Sequence, residues 1–358
     1  MNFIAVLLLL VSYSAAYINP NILSIISLAG LAYPFILTVN IIFILIWLFT
    51  KKRFALLSLI AVLLGWNHLG RLVQFNSEKV IDPESKVIKV LCYNIQNFIK
   101  LNTSSTKYVT NFENQSKVIK FIQKQDADII CIQELLNDRK GFNKFPSELG
   151  KKLNCPNYYF INYYQRSSKT KIDAIAIFTK YPIIDRDFIV YEEKTIGIFT
   201  DLLINHDTIR LYNLHLASIR FKREDYDFIS DIASQQDQEN IKSGSKAIIS
   251  KIKAAFIKRG YQVDILSDHI SESPYPVIIC GDFNDTPSSY VYRVISKERK
   301  DAFVESGKGF GNTYAGENFP SLRIDYIFYD DSFSSLNFKR HKIKLSDHYP
   351  VSCFLLNK

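Results

Sequence analysis

The sequence predicts an α/β layered domain behind an N-terminal membrane segment, and three observations predict it. The stretch from Met1 to Ser77 holds no Asp or Glu and consists of three apolar runs. Beyond it, short β-branched runs alternate with segments of helical spacing, as in layered α/β domains. Many of those runs stop at Asn, Asp, Glu or His, and ligand sites in α/β proteins gather at strand ends.

The first apolar run extends from Phe3 to Ile18 and breaks at Asn19-Pro20-Asn21. Ser14-Ala15-Ala16 resembles a signal-peptide cleavage site, but no basic residue precedes it and more apolar sequence follows. The second run, Ile22 to Phe49, exceeds the roughly 20 residues needed to span a bilayer. The third, Phe54 to Val73, is interrupted by Trp66, Asn67 and His68. The expectation is an integral membrane anchor of two or three transmembrane helices over residues 1–75. Lys51-Lys52-Arg53 is its only dense positive cluster, and the positive-inside rule puts that loop in the cytoplasm. The third run then leads the rest of the chain to the extracytoplasmic side.

Residues 76–86, with Pro83, read as a linker to a domain over 87–358. Val87 to Tyr93 is a strand ending at Asn94. A polar loop containing Asn102 to Thr106 follows, then helical spacing from Ser116 to Gln125. Asp128 to Ile132 is a nearly continuous apolar run, the mark of a strand covered on both faces, and it ends at Gln133-Glu134. Tyr158–Tyr164, Asp173–Phe178 and Ile209–Leu216 are strand-like. An insert over 218–275 is helical around Gly244 to Arg259, with Ile248, Ile249, Ile252, Ala255 and Phe256 as its apolar positions. Pro276 to Cys280 is a further buried strand, and Leu322–Tyr329 and Tyr349–Leu355 close the domain.

Composition excludes more than it identifies. The chain has 358 residues, 47% of them hydrophobic, with 26 Phe and 21 Tyr, enough for a substantial core. Four of its nine net positive charges lie before Glu78, leaving a mildly basic domain that suits an anionic substrate without requiring one. Five cysteines cannot all pair, no CxxC occurs, and none has zinc-like spacing with a histidine. They read as small buried hydrophobes.

The polar run endings are Asn94, Glu134, His215, Asp282 with Asn284, Asp325 and Asp347-His348. One such ending means little, because Asp and Asn commonly begin turns. Together they supply what phosphate-ester hydrolysis needs. A cation such as Mg²⁺ keeps several waters and is held by one or two carboxylates, for which Glu134 is the first candidate. A His or Asp beside the phosphate can deprotonate water. Amides such as Asn94 and Asn284 orient phosphate oxygens without adding negative charge.

The motifs Tyr93-Asn94-Ile95, Ile132-Gln133-Glu134, Asn213-Leu214-His215-Leu216, Gly281-Asp282-Phe283-Asn284, Arg323-Ile324-Asp325-Tyr326-Ile327 and Ser346-Asp347-His348-Tyr349-Pro350 occur in that order. In this the sequence resembles the endonuclease/exonuclease/phosphatase superfamily over about Val87 to Phe354. That group includes DNase I-like nucleases, sphingomyelinases and inositol-polyphosphate phosphatases. The resemblance implies a four-layer α/β sandwich, two packed β-sheets flanked by helices. It implies Mg²⁺ or Mn²⁺ held by Glu134 with Asn94 and Asp347, and a water and phosphate positioned by Asp282 and Asn284. His348 would contact the phosphate, oriented by Asp325, and His215 would assist the leaving oxygen as a general acid. Asp282 and the Asp325–His348 pair both remain candidate bases.

Two features depart from the pattern. Asp173 to Ile183 lacks the usual glycine and has Thr179 for serine, and no carboxylate partner for His215 can be assigned. The expected activity is a membrane-anchored phosphodiesterase, nuclease-like, acting on nucleic acid or another phosphate ester. The alternative is a phospholipid or sphingolipid head-group phosphodiesterase or phosphatase. A non-catalytic binding module would be expected to have lost Glu134, Asp282 or His348, and all three are present. Arg220, Lys222 and Arg223 are read as a solvated helical face, His206 and His341 as exposed. Asn312-Thr313-Tyr314 is a further candidate for the cleft.

Overall fold

The computed structural model describes residues 1–82, 84–98, 112–138, 144–164, 171–231, 238–316 and 320–358. Pro83 and the Asn102–Thr106 loop lie outside the described residues. The chain opens with five helices: α1 (Asn2–Ser14), α2 (Pro20–Leu31), α3 (Tyr33–Phe49), α4 (Lys52–Leu64) and α5 (Trp66–Gly70). Then come β1 (Val73–Phe75), β2 (Val87–Asn94), α6 (Phe112–Gln125), β3 (Ile129–Asp138), α7 (Lys144–Lys152), β4 (Asn157–Asn162) and β5 (Lys171–Thr179). The middle holds β6 (Ile183–Tyr191), β7 (Lys194–Ile204), β8 (Asp207–His215), α8 (Arg223–Asp231), α9 (Gln238–Ser271) and β9 (Val277–Asp282). The end holds α10 (Tyr290–Ser296), β10 (Lys300–Asp301), α11 (Ala302–Ser306), β11 (Lys308–Phe310), β12 (Asp325–Tyr329), β13 (Phe333–Arg340) and β14 (Val351–Asn357).

Two six-stranded sheets, ordered β13-β14-β2-β3-β5-β4 and β10-β12-β9-β8-β7-β6, pack face to face. Ile88, Val90, Ile129, Cys131, Ile175 and Ile177 of one sheet meet Ile198, Leu211, Ile278, Cys280 and Ile327 of the other. The outer face of the first sheet is covered by Val118 and Ile122 of α6 and Leu149 of α7. Val263, Leu266 and Ile270 of α9 and Val291 and Ile295 of α10 cover the second. The result is a helix–sheet–sheet–helix stack. All five cysteines are buried and unpaired, four of them on strands.

In each sheet one parallel pair, β2 with β3 and β8 with β9, sits beside antiparallel neighbours. Their registers align the expected site residues: Asn94 faces Gln133, His215 faces Asp282, and Asp282 faces Asp325. The strand β3 departs from expectation. It does not end at Glu134 but continues to Asp138, its pairing with β5 shifting between Ile132 and Leu135. This β-bulge turns the local side chains without ending the ladder. The sequence reading also omitted β6, β7 and β13. In β6, five consecutive residues from Ile184 to Phe188 are exposed, so its sequence carries little apolar alternation.

The N-terminal helices correct the expected spans. The second apolar run is broken into α2 and α3, which are bent by 49°. Pro34 falls in the first turn of α3, where its ring and missing N–H oppose continuation of α2. Among the described residues no single helix is long and apolar enough to cross a membrane; only the bent α2–α3 pair passes by length and composition together. The third run is carried by α4 and the short α5 and finishes in β1, which pairs with β11, so Val73 to Phe75 are sheet rather than anchor.

These helices also dock on the sandwich. Asn19 Nδ2 donates to Asp264 of α9 (3.0 Å), and Arg71 Nη1 to the Pro287 carbonyl (3.2 Å). Arg323 Nη2 donates to the Arg71 carbonyl (3.0 Å), and Arg293 lies 4.0 Å over the Tyr17 ring.

Candidate active site

All eight residues expected at the site converge at one end of the two sheets. Glu134 is placed there by the bulge, with φ of 53°, a left-handed conformation rarely adopted by a residue with a long side chain. The bulge is secured from the opposite sheet. Asn213 Nδ2 donates to the carbonyls of Ile132 (3.1 Å) and Ala176 (2.8 Å), and its Oδ1 accepts from Gln133 Nε2 (2.5 Å). Both side chains of this stitch are buried, so the amides hold peptide groups that would otherwise be unsatisfied. Gln133 and Asn213 thus build the position of Glu134 and do not face the cleft.

Gly281 is explained by β8. Its φ is 154°, and a Cβ there would stand 2.2 Å from the Leu214 carbonyl oxygen. Only glycine lets β8 and β9 approach closely enough to set His215 beside Asp282. After it, Asn284 (φ 52°) folds back, its N–H donating to Asp282 Oδ1 (2.9 Å) and its Nδ2 to Oδ2 (3.2 Å).

Asn94 bridges two carboxylates, its Nδ2 donating to Glu134 Oε1 (3.2 Å) and Asp282 Oδ2 (3.0 Å). Its Oδ1 accepts from the Gln96 N–H (3.1 Å), so Asn94 orients Glu134 more than it offers a free oxygen. Gln96, which the sequence reading missed, donates from Nε2 to Asp347 Oδ2 (2.9 Å). Its Oε1 is buried and has no hydrogen-bond partner among the described residues. Burial, with Asp347 adding its charge, pushes the Glu134 carboxyl up to about 7. Burial also raises Asp347 and pushes Asp282 up to about 6. Carboxyls crowded until they resist ionisation, beside an unpartnered amide oxygen, are a hard-oxygen donor set that fits a divalent cation. Glu134, Asp347 and Gln96 are the residues that would hold it, with Asn94 aligning Glu134.

A second cluster lies beside this set. Asp282, Asp325 and His348 offer ligand atoms within 4.8 Å of one another. Here His348 Nδ1 is taken by Asp325, at 2.9 and 3.1 Å to its two oxygens. Burial works against the imidazolium, but Asp325, Asp282 and Asp347 outweigh it and lift His348 well above its ordinary value. The His348–Asp325 pair is a charge-assisted hydrogen bond, already satisfied without a cation. Thr313 Oγ1 accepts from the N–H groups of Ile324 and Asp325 (both 3.0 Å), and Tyr314 lines the cleft with its ring edge toward His348. In this way the 312–314 segment supports the site.

The missing partner of His215 is a tyrosine. Tyr163 Oη lies 2.6 Å from His215 Nδ1 and accepts the Glu134 N–H (3.1 Å). While accepting that N–H the phenol can donate its own proton to Nδ1, which places the hydrogen of a neutral imidazole on Nε2. Nε2 has no hydrogen-bond partner among the described residues and lies 3.6 Å from Glu134 Oε1 and 3.7 Å from Asp282 Oδ2. Burial, then the charges of Lys194 and His348, hold His215 well below its ordinary value. With its hydrogen on Nε2, the neutral ring is a hydrogen-bond donor aimed into the cleft. Nothing in sequence flags Tyr163: it follows β4, 52 residues before His215.

The other candidates divide. Arg220 lines the cleft and donates to Tyr164 Oη (2.9 Å), whereas Lys222 and Arg223 are exposed. His206 is exposed, but His341 is not a solvent-facing histidine. Its Nε2 lies 2.8 Å from Ser352 Oγ, and burial lowers it to about 4.

Residues 91–348 match the model of the endonuclease/exonuclease/phosphatase family, and residues 1–72 match one described as a domain of unknown function. No curated protein matches the chain. Among solved structures, it is similar to an endonuclease/exonuclease/phosphatase from Beutenbergia cavernae, at 14% identity and a TM-score of 0.53, over 76% of this chain and 72% of that one. The catalytic domain of human Nocturnin with a bound sulfate anion is similar at 14% identity and a TM-score of 0.52, over 79% and 98%. A family protein from Leptotrichia buccalis gives 16% and 0.50, over 74% and 98%. At these identities the likeness is one of fold.

Proposed function

The chain belongs to the endonuclease/exonuclease/phosphatase family, and on that footing we propose that it is a divalent-cation-dependent hydrolase of phosphate esters held at a membrane. One observation carries the catalytic part. Strand ends from both sheets set His215 3.6 Å from Glu134 and 3.7 Å from Asp282, and His348 3.7 Å from Asp282 and 2.9 Å from Asp325. A cation bound at Glu134 and Asp347, Mg²⁺ or Mn²⁺, would neutralise phosphate charge and stabilise the oxygens that gain charge during hydrolysis.

The chain's own residues do the rest. Asp282, held by Asn94 and Asn284 and pushed up to about 6, is poised to take a proton from the attacking water. The water's oxygen then bonds to phosphorus as the bond to the departing oxygen breaks. His348, kept protonated by Asp325, presents Nε2–H and positive charge to a phosphate oxygen. Neutral His215 donates Nε2–H to the anionic oxygens that develop in the transition state.

Membrane attachment rests on the helices α1, α3 and α4. They expose Phe3, Leu7, Ile42, Leu45, Ile46, Leu56, Ile60 and Leu63, large apolar side chains that a bilayer would cover. Lys51-Lys52-Arg53 stand at the end away from the sandwich, near the start of α1, where Asn2 Nδ2 donates to the Phe54 carbonyl (3.2 Å). With that loop in the cytoplasm, the active site lies on the extracytoplasmic side. The test is the full chain in nanodiscs against a DNA oligonucleotide, RNA, sphingomyelin liposomes and a phosphomonoester, with Mg²⁺ or EDTA. Cation-dependent turnover of at least one is expected; folded protein inactive on all four would reject the proposal.

A further inference from the structure

The catalytic cleft has a second half that hydrolysis does not use. Beside Glu134, Asp347 and His348 it is lined by Leu31, Ile219, Phe221, Phe256, Leu322 and Ile324. Five of these come from the sandwich and its insert. Leu31 comes from the N-terminal helices, at the corner where α2 gives way to α3. That corner is built against the site. The neighbouring Gly30 packs so closely on the Ser288 carbonyl that a Cβ would stand 3.1 Å from its oxygen. Arg71 and Asn19 fix the same helices to Pro287 and Asp264. The wall of the cleft and the apolar exterior therefore meet at one residue, with exposed Ile25 and Phe35 on either side of it in the chain.

The charges at the cleft point the same way. A groove for nucleic acid presents unpaired cations along a phosphate track. Here the lining arginines are Arg220 and Arg259, and Arg259 is buried in an ion pair with Asp285 (2.9 Å). The carboxyls Glu134, Asp282, Asp285 and Asp347 outnumber them.

We infer that this wall binds the hydrocarbon part of the substrate, and that the enzyme acts on amphiphilic phosphate esters whose apolar chain reaches the cleft past Leu31. The inference rests on the phosphoesterase reading above and adds the substrate class. The N-terminal helices then have two functions: they hold the enzyme at the bilayer and complete its specificity pocket.

The test separates chain recognition from chemistry. p-Nitrophenyl phosphodiesters carrying a methyl, butyl or octyl group share one scissile bond and one leaving group, so p-nitrophenolate release reports the apolar group alone. A fully buried methylene is worth about a fourfold gain. For the full chain in nanodiscs with Mg²⁺, kcat/KM for the octyl ester should exceed that for the methyl ester at least tenfold. Leu31→Asn should cut that ratio at least fivefold, and Ile219→Asn gives the same reading from the sandwich side if the first variant fails to fold. Equal kcat/KM across the series overturns the inference while leaving the phosphoesterase reading intact. A ratio unchanged in both variants overturns it too. Turnover of none of the esters refutes the phosphoesterase reading, and the inference falls with it.

Discussion

The hydroxyl of Tyr163 decides which nitrogen of His215 carries a proton, although no motif marks it. Tyr163→Phe removes the partner of Nδ1 and leaves the imidazole free to take the wrong tautomer. We expect kcat to fall about 10- to 100-fold with KM little changed, because the lost hydrogen bond acts in the transition state. An unchanged kcat would show that His215 does not need this partner. Gly281 illustrates the opposite kind of legibility. Its motif was readable in sequence, but its reason, the Leu214 carbonyl at 2.2 Å from any Cβ, is a contact between strands far apart in the chain. Gly281→Ala should cost at least about 3 kcal/mol in urea unfolding, from overpacking against backbone that cannot yield. The carboxyls give a pH prediction. Folding pushes Glu134 up from its ordinary 4.5 to about 7, so the folded chain binds more protons than the unfolded one. The contribution of Glu134 to stability therefore falls as pH rises through that window. A bound cation relieves this strain and must displace those protons. Differential scanning fluorimetry should show Mg²⁺ raising Tm more at pH 8 than at pH 5.5; equal shifts would exclude these carboxyls as the cation site.

Strands were legible where they are buried on both faces. The cores of β2, β3 and β9 read directly as β-branched runs, and their polar endings fell at the site because parallel registers bring Asn94 level with Gln133 and His215 level with Asp282. What failed was the treatment of β3 as a strand that stops. A bulge leaves no mark in composition, and its support from Asn213 comes from the other sheet. Helix α9 was read too short: of the apolar positions named, Ile252, Ala255 and Phe256 are buried and Ile249 is exposed, while Val263, Leu266 and Ile270, which cover the sheet, lie beyond the stretch that was read. Its firmest tie to the site is Arg259, whose Nε donates to Asp285 (2.9 Å) and whose Nη1 donates to the Ala217 carbonyl (2.9 Å). Arg259→Met would leave Asp285 buried without its partner, at a cost of about 3–5 kcal/mol. A midpoint shift in urea well below that would mean the loop from Asp285 to Ser289 is held by other contacts.

At the scale of the molecule, the sequence reads as an apolar N-terminal part and a layered α/β part, with no sign that the two touch. The contacts are single residues spread over the chain: Asn19 with Asp264, Arg71 with Pro287, Arg323 with Arg71. The helix break at Ala32 was hidden because both sides of it are equally apolar, and only Pro34 hinted at it. The central claim is that one site, at the meeting of the two sheets, hydrolyses phosphate esters with a divalent cation. Its most direct test is turnover of bis(p-nitrophenyl) phosphate by the full chain and by Asp282→Ala and Glu134→Gln, titrated with Mg²⁺. The account predicts a loss of about 10³-fold or more in Asp282→Ala, in line with removal of a group essential to the transition state. It also predicts that Glu134→Gln needs much more Mg²⁺ to reach its residual rate. Wild-type turnover by Asp282→Ala, or a Glu134→Gln rate with the same Mg²⁺ dependence as the wild type, would contradict it.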